Sequence, residues 1–108
     1  MSVDSYYSVG TVQEWFDCDA EPEEIVEAMS DRDFKVFGAV QPPGVLVPYH
    51  THEQEEWLIV LEGCMKLIIE EEPVMLDVGD VITIAPEAVH GAVAVGGESA
   101  KILIAFQN

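Results

Sequence analysis

The sequence predicts an all-β protein, an antiparallel sandwich or barrel with one short N-terminal helix, on three observations. From Phe34 onward, short runs rich in β-branched and aromatic residues recur at close spacing. Turn signals separate them, such as Gln41-Pro42-Pro43-Gly44, Glu62-Gly63 and Gly96-Gly97. Only one segment, Asp19–Ser30, carries a helical apolar period.

Taken in order, Tyr6–Phe16 mixes aromatic and polar residues and is expected as an edge strand. In the helix, Pro22 suits the first turn and acidic residues favour the positive end of the dipole. Ile25, Val26 and Met29 form its apolar stripe. Residues 1–33 are therefore read as an N-terminal strand and short helix, and residues 34–108 as the barrel, one domain overall. The barrel strands are expected at Phe34–Val40, Val45–His52, Glu56–Leu61, Cys64–Glu70, Val74–Leu76, Val81–Ile84, Gly91–Val95 and Ile102–Phe106. Within these, Trp57–Leu61 is apolar at both parities, so both of its faces should be covered. With one helix available, a second subunit is a candidate cover, and a homodimer is expected.

Composition narrows the function. Twenty-one acidic residues stand against four basic ones, for a net charge of −17. Such a surface repels phosphate backbones and anionic membranes, so neither nucleic acid nor membrane is an expected partner. One Arg and three Lys also leave little to clamp a polyanionic substrate. Most carboxylates read as solvated faces and turns, in a cytoplasm or in the salt of a halophilic source. Met1–Gly10 has neither a basic residue nor an apolar run, as a signal peptide would. Cys18 and Cys64 lack any metal or redox spacing and read as reduced, in keeping with a cytoplasmic location.

The three histidines fall in two short segments. His50 and His52 project from one face of a regular strand, with a carboxylate at Glu56 four positions on. His90 can close the site from a neighbouring strand. Imidazole and carboxylate together suit one divalent transition metal, Mn, Fe, Co, Ni or Zn, without choosing among them. Glu53 and Glu55 have the opposite parity and should point outward. Trp57 is expected in the core or an interface, and Tyr49 and Glu87 at the rim of the barrel mouth.

The spacing resembles that of the cupin family. Gly44, five residues, His50-x-His52, three residues, Glu56, six residues and Gly63 match the first cupin motif position for position. Gly79-Asp80 through His90 resembles the second, although Ala85 stands for the usual Pro, Glu87 for the usual Gly and Ala94 for the usual Asn. The similarity covers roughly Gly38 to Phe106 and implies a double-stranded β-helix, or jelly-roll, barrel. It further implies a metal held inside by His50, His52, Glu56 and His90, with open positions for water or substrate. The departures leave His90 in register and bear on the loop at the barrel mouth.

Two functions follow from such a site. One is an enzyme acting on a small neutral or weakly charged molecule, by dioxygenase-, isomerase- or lyase-like chemistry. The other is a non-catalytic ligand-binding or sensing module with a structural metal. Beyond the ligand set, Thr83 and Tyr49 are the polar candidates for acid–base work on nearby strands. Neither is assigned a catalytic role, and the rest of the inferred interior is Val, Ile, Leu and Met.

Overall fold

Alternation along the strands decides which face of each is buried, and the layers follow from it. The computed structural model describes residues 6–107; residues 1–5 of the N-terminal unit and Asn108 of the barrel unit lie outside the described residues. Strand β1 (Tyr7–Thr11) is followed by two helices, α1 (Val12–Phe16) and α2 (Pro22–Asp31). The remaining strands are β2 (Phe34–Gln41), β3 (Leu46–His50), β4 (Glu56–Glu62), β5 (Met65–Ile69), β6 (Glu72–Leu76), β7 (Asp80–Ile84), β8 (His90–Ala94) and β9 (Ala100–Gln107). They form a five-stranded sheet, β1-β7-β4-β9-β2, facing a four-stranded sheet, β3-β8-β5-β6, with antiparallel pairing throughout both.

The inner faces meet in the barrel core. Leu58 and Val60, Ile82 and Ile84, and Met65, Leu67 and Ile69 project into it at every second position. The opposite parity of the five-stranded sheet, with Ile59, Val81, Leu103 and Ala105, packs against Val12, Phe16, Ile25 and Met29 of the two helices. Apolar runs at both parities of β4 are thereby explained within one chain. The edge-strand expectation holds for β1, but Val12–Phe16 is helical. Thr11 caps that turn: its hydroxyl accepts from the Glu14 N–H at 3.1 Å, and the Glu14 carboxylate accepts from the Thr11 N–H at 2.9 Å.

This arrangement packs Trp57 against the second core cluster, one of the two placements expected for it. Its ring lies 5.0 Å from Phe34, 5.4 Å from Trp15 and 5.7 Å from Phe16, in edge-on or tilted contacts. Its indole N–H donates to Glu55 at 3.0 Å. Helices of the same chain, rather than a second subunit, cover this part of β4. The Arg32 guanidinium ties the clamp together, donating to the Trp15 carbonyl at 2.7 Å and lying over the Phe16 ring.

Two local distortions position the site. A bulge between Val47 and His50 inserts one extra residue into β3, since Val47 pairs with Ala92 and His50 with His90. The bulge lets Val47 and His50 both face inward although they are three apart. In the loop before β8, Glu87 adopts φ +67°, a conformation glycine takes freely. Its N–H donates to the His52 carbonyl at 2.8 Å, which joins this loop to the segment after β3. Among the described residues, no helix is long and apolar enough to cross a membrane.

Candidate metal centre

Four side chains from three strands and a loop converge at one end of the barrel interior. His50 comes from the end of β3, His52 from the loop beyond it, Glu56 from the first residue of β4, and His90 from the first residue of β8. One potential ligand atom from each lies within 4.8 Å of the others. Glu56 and His90 are 5% and 4% exposed, the buried polar or charged residues among the described ones. Burial of a carboxylate is costly unless it is paired. Here one oxygen of Glu56 meets His52 Nε2 at 2.9 Å and His90 Nε2 at 3.2 Å.

Backbone carbonyls orient two of the rings. A carbonyl can only accept, so His50 Nδ1–H donates to Pro48 at 2.8 Å and His90 Nδ1–H donates to Ala88 at 2.9 Å. That tautomer directs each Nε2 toward the cluster, as metal-binding imidazoles require. Burial disfavours the charged form of His90. The hydrogen bonds to Glu56 and Ala88 and the charge of Glu56 outweigh it and raise the pKa above the ordinary value. For His52, burial dominates and the charges of His50 and His90 act with it, so its pKa is lowered despite Glu56. When protonated, His90 Nε2–H donates to Glu56 among the groups that a cation would bind. Three imidazoles and one carboxylate fit a borderline divalent ion in type, number and convergence.

Beside the cluster lies a cavity of about 340 Å3. Val47, Met65, Ala92, Ile102 and Ile104 make its apolar wall, with Phe37 and Phe106 at its sides. The Phe106 ring stands 5.3 Å from His52. Tyr49 and Thr83 do not line this cavity. Tyr49 is 58% exposed, its ring over Gly91, and Thr83 pairs with Trp57 at the parity of the helix-covered face. Glu53 and Glu55 are exposed, as their parity implies. Gln41 was not singled out by the sequence, yet it lines the cavity from the end of β2. Its alternation with Phe37 and Ala39 was the signal that could have found it.

Comparison with known proteins agrees with this architecture. Residues 38–106 match the profile described as Cupin domain. No curated protein resembles the chain at a significant level. Among solved structures, a cupin-2 domain containing protein from Shewanella frigidimarina is 22% identical with a TM-score of 0.62, over 70% of this chain and 72% of its own. The polyketide cyclase RemF from Streptomyces resistomycificus is 28% identical with a TM-score of 0.62, over 68% of this chain and 53% of its own. The DMSP lyase DddQ from Ruegeria pomeroyi is 20% identical with a TM-score of 0.64, over 71% of this chain and 39% of its own. With its matched barrel and two facing antiparallel sheets, the chain belongs to the cupin domain family.

Proposed function

We propose that this chain is a metal-dependent enzyme in which His50, His52, Glu56 and His90 hold one divalent transition metal. The adjoining cavity would take a small neutral or weakly charged molecule. The observation that carries this reading is that, among the described residues, the buried charged groups Glu56 and His90 belong to one convergent cluster at the end of a largely apolar cavity. A metal bound there supplies Lewis acidity toward a donor oxygen, and, for a redox-active ion, toward dioxygen. The chain's own residues do the rest. The carbonyls of Pro48 and Ala88 hold the His50 and His90 rings in place, Glu56 offsets part of the cation's charge, and the aliphatic wall keeps bulk water from the bound molecule.

Dioxygenase-, isomerase- and lyase-like reactions all fit an open metal beside an apolar wall. A cyclase built on a similar barrel supports an enzymatic reading without choosing among them. A second reading, a binding or sensing module with a structural metal, is favoured by the lack of any titratable group on the cavity wall beyond the four cluster residues, among the described residues. The test is cobalt(II) reconstitution followed by titration with acetohydroxamic acid, a small chelating head. Our reading predicts one tightly bound cobalt whose visible spectrum shifts with the hydroxamate. An unresponsive spectrum would mean a closed, structural site, and failure to bind cobalt would refute the metal assignment.

A further inference from the structure

The strand registers give the cavity a direction. Gln41 pairs with Ala100 at the start of β9, Ala39 with Ile102 and Phe37 with Ile104. Phe106, beside His52, lies six positions along the same strand from Ala100. At the rise of an extended chain that is about 20 Å of strand. The opposite sheet runs in parallel fashion, with His90 level with Ile69 and Met65 level with Ala94 four positions away. His90, Met65 and Gln41 all line the one cavity. It is therefore a slot with the metal-type cluster at one end, Gln41 at the other and aliphatic side chains between.

Gln41 is the one polar side chain of that lining outside the cluster, and its amide makes no hydrogen bond among the described residues. No Lys or Arg joins it. Lys101, one position from Ala100, turns to the other face and meets Glu62 at 3.3 Å. An amide without a neighbouring cation selects a neutral group with which it can exchange a hydrogen bond, and a terminal carboxylate would find no counter-charge.

We infer that Gln41 determines specificity, reading a neutral hydroxyl, carbonyl or amide at the far end of an elongated ligand whose other end is an oxygen donor at the cluster. This deepens the proposed function and rests on the metal assignment for the ligand's head. It names the substrate class: a small bifunctional molecule with an apolar middle, spanning about 10 Å once side chains reach in from both ends of the slot.

The experiment compares two homologous series of linear alkyl hydroxamic acids, one ending in methyl and one in hydroxyl. Binding is measured by calorimetry to cobalt-loaded wild type, Gln41→Leu and Gln41→Asn, and to His50→Ala, which lacks the metal. In wild type, one chain length should show about a fivefold preference for the hydroxyl end, the usual effect of one neutral hydrogen bond. Gln41→Leu should abolish or reverse that preference. Gln41→Asn should move the preferred length up by about one methylene, since its amide is withdrawn by that distance. A purely structural role for Gln41 would not shift the length optimum. His50→Ala reports on the head alone: weaker binding of both series with the terminal preference intact leaves the inference standing. If His50→Ala changes neither series, the metal assignment fails while Gln41 is judged by its own variants. No preference at any length in wild type, a preference that survives in Gln41→Leu, or no binding of either series to wild type would overturn the inference.

Discussion

Replacing Trp57 with Ala measures how strongly the helices clamp the five-stranded sheet. The indole makes three aromatic contacts, to Trp15, Phe16 and Phe34, and none of them leaves the chain. Losing about 100 Å2 of buried apolar surface costs about 2.5 kcal/mol. Three aromatic contacts add about 0.5 kcal/mol each at the low end of their range. The sum, about 4 kcal/mol, lies within the range observed for truncating a large aromatic residue. For a domain of 108 residues this lowers Tm by about 18 °C. Urea unfolding followed by circular dichroism, with calorimetry at several protein concentrations, reads both quantities. Were Trp57 instead an intersubunit residue, the wild-type Tm would rise with protein concentration and the variant's would not. That pattern, or a loss below about 1 kcal/mol, would refute the clamp.

Two further outcomes test other parts of the structure. In metal-free protein, the raised pKa of His90 makes its proton stabilise the fold fully below its unfolded value, near about 6.5, with that contribution lost as pH rises through the folded value. The lowered pKa of His52 has the opposite sign, penalising the fold as pH falls. Because Glu56 sustains His90 protonation, the stability gap between chelator-treated wild type and Glu56→Gln should narrow between about pH 6 and about pH 8; a gap that widens would contradict the assignment. Gly63 has φ +82°, and an added Cβ would lie 2.8 Å from the Ser99 carbonyl oxygen, so Gly63→Ala should cost about 2–3 kcal/mol in urea unfolding. Gly97, at φ +79° in open space, should cost only about 1 kcal/mol on the same substitution, and equal losses would count against the close approach.

Much of this structure was legible because it rests on local alternation and turn chemistry. The runs between Gly and Pro signals became the barrel strands, and the Ile25 and Met29 stripe became the buried face of α2. The histidine and glutamate spacing also survived into three dimensions. What escaped depends on contacts remote in sequence or on single-residue irregularities. Thr11 and Glu14 already spell a capping box, but the aromatics around them read equally well as a strand. The cover on β4 was hidden because nothing local says that Trp15, Phe16 and Phe34 meet at Trp57. Regular alternation from His50 would turn Pro48 and Leu46 inward, and only the bulge makes Val47 a cavity residue. The departure from glycine at position 87 obscured the loop, because the backbone keeps its left-handed turn with Glu in place. Gln41 gained meaning only once its strand was placed opposite the cluster's.

The most direct test of the central claim is elemental analysis of untagged protein purified without chelator, beside His90→Ala and His50→Ala. The account predicts about one equivalent of a single transition metal in wild type, lost in both variants while circular dichroism shows the barrel still folded. Metal content unchanged in the variants, or no metal in wild type even after reconstitution with Mn, Fe, Co, Ni and Zn salts, would contradict it.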